Sequence, residues 1–185
     1  MKRVWSCLIG ALLLAAAQGV ADDLDVGLVA YYPLSTDALD ASVNGMDGTA
    51  TNGVDFSNGY ALFDGVDDYI DLPDGFADFS SGFSFSGWVR CDSTDESYAR
   101  IFDFSQGGQD NDNMMLSRHS QSSDLFYRVY SSNLQAGNAS AADFFELGTW
   151  QHITVVHNPD LTVHIYKNGA LVSSGSNVGL PVTLT

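Results

Sequence analysis

Between Tyr60 and Pro73 the chain runs Tyr-Ala-Leu-Phe-Asp-Gly-Val-Asp-Asp-Tyr-Ile-Asp-Leu-Pro, and ten residues later it runs Phe83-Ser-Phe-Ser-Gly-Trp-Val89. Two short apolar runs flank the acidic stretch Asp64-Gly65-Val66-Asp67-Asp68, and the later segment alternates strictly. The order predicted is therefore strand, acidic turn, strand, loop, strand. Successive side chains of a strand point to opposite faces, so Phe83, Phe85, Gly87 and Val89 share one face and Ser84, Ser86, Trp88 and Arg90 the other. Such a strand is half-buried and belongs to a sheet with one covered side.

The same pattern recurs along the chain. Leu28–Leu34 carries Val29, Tyr31 and Pro33 on one parity, with Pro33 marking a strand end or edge. Leu125, Tyr127 and Val129 alternate with Phe126, Arg128 and Tyr130. Further strands are expected at Tyr98–Phe104, Asn113–Arg118, Trp150–Val156, Thr162–Tyr166 and Ala170–Ser173. Asn168-Gly169 joins the last two as a tight hairpin, because both residues tolerate the positive φ such a turn requires. Ala139–Leu147 is expected to be a loop or a single turn, closely bounded by Asn138 and Gly148. Many short strands with Gly and Asn between them predict an all-β fold of two packed antiparallel sheets, one domain over 22–185.

Residues 1–21 read differently. Lys2 and Arg3 precede the apolar run Leu8–Ala17, and Gly19-Val20-Ala21 offers small residues before Asp22. This is the pattern of a signal peptide, and the run is shorter than the roughly 20 residues a membrane-spanning helix needs. Cleavage after Ala21 would release a secreted, extracellular or periplasmic protein with no membrane insertion. Five basic residues would then face 23 acidic ones. That balance repels phosphate backbones and excludes nucleic acid as a partner. Cys91 would be the lone mature thiol, either a buried small hydrophobe or one half of a disulfide whose partner lies beyond residue 185.

Four motifs carry a resemblance. Phe63-Asp-Gly-Val-Asp-Asp-Tyr-Ile-Asp-Leu-Pro73, Phe83-Ser-Phe-Ser-Gly-Trp-Val89, Leu147-Gly-Thr-Trp-Gln-His-Ile-Thr-Val155 and Ile165-Tyr-Lys-Asn-Gly169, in that order, resemble the LamG-like group of concanavalin A-like jelly rolls. Gly27–Leu34 and Asp40–Thr49 resemble that group's opening strand and Gly/Asn loop, except that Ser42-Val43 stands where Ser-Gly is usual. The resemblance implies a jelly-roll sandwich with further strands after the Asn168-Gly169 hairpin, returning beside the opening strand. On this reading the chain is a fragment missing its last strands, and the 26–34 strand would present unpaired backbone.

Catalysis finds no support in the residues. Retaining glycosidases of this architecture need two carboxylates about 5–5.5 Å apart, commonly glutamates on one strand. Here Glu96 and Glu146 are the only glutamates, 50 positions apart, and the formally possible aspartate pairs, Asp68/Asp71 and Asp110/Asp112, lie in turn-like acidic stretches. His152, after Trp150, reads as a sheet histidine; His157 and His164 could face each other across a hairpin as two ligands of a metal that lacks a third. Calcium fits better. Asp37, Asp40, Asn44 and Asp47 lie in a turn-rich stretch with the oxygen donors it prefers, and the resemblance implies a structural calcium; the same residues also suit a turn that hydrogen-bonds its own backbone. Asp64, Asp67, Asp68, Asp71 and Asp74 form a competing acidic cluster. Tyr98, Phe126 and Tyr130, alternating with polar residues, are candidate rings for stacking a sugar. The expectation is a non-catalytic recognition or adhesion module whose ligand is a polysaccharide or cell-surface glycan. Its alternatives are a structural spacer that meets an extracellular protein, or an accessory domain of a larger glycan-active enzyme.

Overall fold

The computed structural model describes residues 8–15, 26–105, 113–131 and 134–180. Twelve strands follow one another among the described residues: β1 Leu8–Ala15, β2 Leu28–Tyr32, β3 Thr49–Thr51, β4 Tyr69–Asp71, β5 Phe83–Arg90, β6 Arg100–Ser105, β7 Asn113–Arg118, β8 Leu125–Ser131, β9 Leu134–Ala141, β10 Gln151–His157, β11 Val163–Lys167 and β12 Ala170–Gly175. All pairings are antiparallel. One sheet has the order β12-β11-β10-β5-β1-β2, the second β6-β7-β8-β9, and β3 with β4 forms a short third piece. Nothing among the described residues is a helix long and apolar enough to cross a membrane.

The alternation read from the sequence builds the sandwich. Phe83, Phe85 and Val89 of β5, Ile153 and Val155 of β10, and Val163 and Ile165 of β11 are buried on one side. Phe102 and Phe104 of β6, Met114 and Leu116 of β7, and Leu125, Tyr127 and Val129 of β8 close on them from the other. Rings meet across the gap: Phe85 lies 4.9 Å from Phe102 and Phe83 lies 6.2 Å from Tyr127, centroid to centroid. One polar link also crosses. Tyr127 Oη and His157 Nδ1 stand 2.9 Å apart, and His157 Nε2 lies 3.0 Å from the Val178 carbonyl. A carbonyl only accepts, so Nε2 carries the proton and Nδ1 accepts from the tyrosine hydroxyl.

Several expectations need correction. The run at Tyr60–Phe63 forms no strand but only isolated bridging at Ala61 and Leu62, the latter with Asp55. The Asp64 N–H, which a longer ladder would use, is taken instead by Asp68 Oδ2 at 2.9 Å. Ala139–Ala141 closes β9 rather than belonging to a loop, and only the part after Ala141 turns. His157 and His164 do not face each other, since His157 pairs with Val163 and His164 with Val156. Adjacent residues of a strand point oppositely, so the first enters the core and the second stays outside. Cys91, 2 % exposed, is disulfide-bonded within the structure and needs no partner beyond residue 185; Cys7 lies outside the described residues.

The opening strand also has a neighbour where none was expected. Leu8–Ala15, the apolar core of the predicted signal, lies between β2 and β5, with Leu12 opposite Tyr32 on one side and Gly87 on the other.

Asn168 (φ 50°) and Gly169 (φ 82°) make the hairpin turn predicted for them. Gly137 in β9 is required for a different reason. It has φ 140°, and a Cβ there would stand 2.7 Å from Val178 Cα, which is backbone and cannot swing aside. Gly137→Ala is expected to cost more than about 1 kcal/mol, seen as a thermal midpoint lowered by more than about 2 °C.

Candidate functional site

The strand ends bring four loops to one end of the sandwich: residues 62–68, 91–99, 119–124 and 142–150. The last three are tied to one another through backbone bonds, Gly148 N–H to the Cys91 carbonyl at 2.9 Å and Phe145 N–H to the Ser123 carbonyl at 2.8 Å. The Arg118 guanidinium, buried at the end of β7, donates to the carbonyls of Glu96 and Ser122 and fixes the 91–99 loop from beneath. Desolvation by burial pulls its pKa down from the usual arginine value.

A cleft of about 300 Å³ opens between the first two of these loops. Asp64, Gly65 and Val66 form one wall and Asp92, Asp95 and Glu96 the other, with Arg90 between them. Arg90 is the last residue of β5. Its Nε and Nη2 donate to the two Asp92 oxygens at 2.9 and 3.0 Å. This pair, chiefly through those hydrogen bonds, raises the Arg90 pKa. The guanidinium lies 5.7 Å from the Tyr60 ring and 5.6 Å from the Trp150 ring, and those rings meet edge-on at 5.4 Å. A cation held over two aromatic rings beside a forked carboxylate is a fixed polar group next to apolar ring surface. The arrangement suits a ligand that is itself part hydroxyl and part hydrocarbon.

The three predicted ring positions lie along a path that leads away from this end. Tyr98, 37 % exposed, sits in the 91–99 loop and meets His119 edge-on at 5.8 Å. His119 lies 4.9 Å from Phe126, and Arg128 sits over both Phe126 (4.6 Å) and Tyr130 (5.0 Å), donating to the Tyr130 hydroxyl. Phe126, Arg128 and Tyr130 occupy the outer parity of β8, opposite Ser117, Met115 and Asn113 of β7. Phe126 is only 8 % exposed, being covered by the two groups that flank it, so Tyr98 and Tyr130 offer more ring surface.

The acidic residues divide by their partners. In the early loop, Asp40 takes hydrogen bonds from Tyr31 N–H (2.9 Å), Ser42 N–H (2.8 Å), Ser42 Oγ (2.7 Å) and Met46 N–H (2.9 Å). Burial works to raise its pKa, but these four bonds together hold it below the usual carboxylate value. Asp37 Oδ1 accepts from Leu39 N–H, Asp47 Oδ1 from Asp40 N–H, and Asn44 Nδ2 donates to the Leu28 and Val29 carbonyls. All four predicted calcium ligands thus help shape the loop and fasten it to β2. Asp64, Asp67 and Asp68 are arranged otherwise. An oxygen of each lies within 4.8 Å of the others.

Of the aromatic residues, sequence reasoning passed over Tyr60, Trp88 and Trp150. Trp88 stands 45 % exposed on the outer face of β5, edge-on to His152 at 5.2 Å. Its parity, opposite to Phe85 and Val89, was the available signal; Tyr60 and Trp150 lie at strand margins, where no alternation marks a side. His152 is a sheet histidine, bonded to Ser86 Oγ at 3.1 Å.

Residues 64–185 match the sequence profile Laminin_G_3, described as the concanavalin A-like lectin/glucanases superfamily. A crystal structure of residues 221–444 of an S-layer domain-containing protein from Clostridium thermocellum ATCC 27405 is similar over 83 % of this chain and 75 % of that one, with 26 % identity and a TM-score of 0.48. No curated protein matches the sequence.

Proposed function

The chain belongs to the concanavalin A-like lectin/glucanases superfamily, and we propose that it is a non-catalytic recognition module of the extracellular or cell-surface space that binds carbohydrate in the loop-end cleft. The observation that carries this reading is Arg90, which lines the cleft, is clamped by Asp92 and lies against the Tyr60 and Trp150 rings. Sugars present hydroxyls around an apolar ring face, and a rigid guanidinium-carboxylate pair beside aromatic rings meets both features with little ordering cost. The superfamily contains lectins and glucanases alike, so family membership leaves the choice to the site. Two facts favour binding over hydrolysis. Glu96 lies on the cleft wall, whereas Glu146 is engaged by Lys167 Nζ at 2.8 Å. The cleft carboxylate nearest the arginine, Asp92, has both oxygens engaged by Arg90, which ties it to the guanidinium and away from a scissile bond.

A glycan array followed by titration calorimetry tests the proposal. Arg90→Ala is expected to weaken binding of the sugar found by at least tenfold, about 1.4 kcal/mol, with the fold retained. Tyr98→Ala should cost less, as it sits at the loop edge. Affinity that survives Arg90→Ala but is lost in Tyr130→Ala would move the ligand to the outer face of β8. A silent array, with specific capture of an extracellular protein, would overturn the carbohydrate reading in favour of a structural or interaction domain.

A further inference from the structure

We propose that the loop-end cleft selects an amino sugar, a saccharide carrying a protonated amine, over neutral and acidic sugars; this rests on the carbohydrate reading of the same cleft. The charges of the lining carry the inference. Asp64, Asp92, Asp95 and Glu96 line the cleft with a single cation, Arg90. Arg90 and Asp92 neutralise each other through two hydrogen bonds. What faces a ligand is therefore the other three carboxylates, Asp64 on one wall and Asp95 and Glu96 on the opposite one.

These three charges stand uncompensated on the cleft side. The ion pairs among the described residues, Arg90 with Asp92, Arg100 with Asp103 and Lys167 with Glu146, leave them out. Asp64 Oδ1 accepts only a neutral donor, the Val66 N–H at 2.8 Å. Arg118 lies beneath the 91–99 loop, but it is 1 % exposed, donates to the Glu96 and Ser122 carbonyls and does not line the cleft. A further charge stands behind the first wall. Asp68 is 4 % exposed; its Oδ2 accepts the Asp64 N–H, and its Oδ1 is buried with no hydrogen-bond partner. A buried carboxylate left half-satisfied is costly, and a positive ligand group beside Asp64 lowers that cost through space.

The class of ligand follows from what such a lining rewards. A cleft lined by one sign of charge focuses its field on whatever enters. A uronate or a sulfated sugar brings like charge against three carboxylates and finds the only guanidinium already forked by Asp92. A neutral sugar can donate its hydroxyls to the carboxylates, as water does. A primary ammonium instead donates three charge-assisted hydrogen bonds, each roughly twice as strong as a neutral one. The amine is therefore the group on which the lining discriminates.

The experiment titrates the full chain calorimetrically in 150 mM sodium chloride, which screens the diffuse attraction of a chain of formal charge −16. The buffer is at about pH 5.5, where exposed carboxylates remain ionised. The probes are the β-1,4-linked trimer of glucosamine, its fully N-acetylated counterpart and a trimer of galacturonic acid. The glucosamine trimer is expected to bind at least tenfold more tightly than the acetylated one, with the galacturonate trimer weakest. Asp95→Asn combined with Glu96→Gln should bring the first ratio close to one. Asp78→Asn combined with Asp160→Asn removes the same charge near the other end of the sandwich, where Phe83 pairs with His157, and an asparagine oxygen still accepts the Ser80 or Thr162 N–H. That pair should leave the ratio at tenfold or more. Equal loss in both double variants would mean diffuse attraction and overturn the proposal. An acetylated trimer that binds as tightly as the glucosamine trimer would overturn it while leaving the carbohydrate reading in place. Failure of all three trimers together with a silent glycan array would remove both, and a trimer of lysine that matches the glucosamine trimer would show a site for amines with no preference for sugar, also against the proposal.

Discussion

A chain beginning at Asp22 is expected to lose its cooperative unfolding transition, or to keep one lowered by more than about 15 °C. The cut removes β1, which is not an edge strand but the fifth of six, paired with β5 over seven positions and with β2 over four. Strands in a sheet stand about 4.8 Å apart, so the gap left between β5 and β2 is roughly 10 Å wide. Two new edges result. Both would expose unpaired backbone, and the side chains lining the gap, Ala30, Tyr32, Phe85 and Val89, are at most 1 % exposed in the intact sheet. Domains of this size are stable by only about 5–15 kcal/mol, and wetting those four side chains together with a lost ladder consumes most of that margin. The same cut takes away Cys7, the only cysteine besides Cys91. Size-exclusion chromatography should show oligomers formed by pairing at the open edges. Leu12→Pro, which removes one ladder N–H at the centre of β1, should destabilise in the same direction but less. If residues 1–21 serve as a secretion signal, the cleaved protein must refill this interval with another apolar strand. A peptide of the Leu8–Ala15 sequence, flanked by lysines for solubility, should therefore restore the transition when supplied in trans. A truncated protein that stays monomeric with an unaltered midpoint would refute the role given to β1.

The sheet faces were legible because burial leaves a period of two in the sequence. Phe83, Phe85 and Val89 turned inward and Trp88 and Arg90 outward, as their alternation requires. The Asn168-Gly169 turn was legible for a local reason, the positive φ of both residues. β9 was not. Leu134-Gln-Ala-Gly-Asn-Ala-Ser-Ala141 has no β-branched or aromatic residue; it is a strand because β8 pairs with it along its length and because Gly137 lets Val178 approach. β1 lies within the run read as a leader: Lys2, Arg3 and Gly19-Val20-Ala21 around it carry the marks of a secretion signal, and nothing within the run marks a central strand. At the site, the aspartates could be found but not sorted. Asp40 and Asp68 sit in similar acidic turns, and only the three-dimensional supply of N–H donors separates an aspartate that completes a loop from one that is left with a bare oxygen. The Arg90 cluster joins Tyr60, Arg90 and Trp150, three residues far apart in the chain, and no spacing rule connects them.

Replacing His157 by Ala is expected to cost about 3–5 kcal/mol, the second largest effect foreseen. The side chain is fully buried and holds two groups at once, the Tyr127 hydroxyl from the opposite sheet and the Val178 carbonyl from the segment after β12. Truncation leaves a cavity and two buried polar groups without partners, each of which costs about 1–3 kcal/mol. Tyr127→Phe keeps the volume and orphans only Nδ1, so its cost should be about 1–2 kcal/mol. The pair also gives stability a pH dependence with a definite sign. Burial lowers the His157 pKa below its ordinary value, despite the opposing hydrogen bond to Val178, so the unfolded chain binds this proton more readily than the folded one. Stability from this group is therefore whole above about pH 6.5 and is lost as the pH falls below it, with a slope of at most about 1.4 kcal/mol per pH unit. His152 is shifted in the same direction by burial and adds to the decline. His157→Gln, which cannot titrate, isolates the buried residue: urea denaturation between pH 8 and pH 5 should show a shallower loss in the variant than in the unmodified protein. Parallel curves for the two proteins across that range would mean that His157 takes up its proton within the folded core as readily as in water, contrary to a neutral ring that accepts from Tyr127.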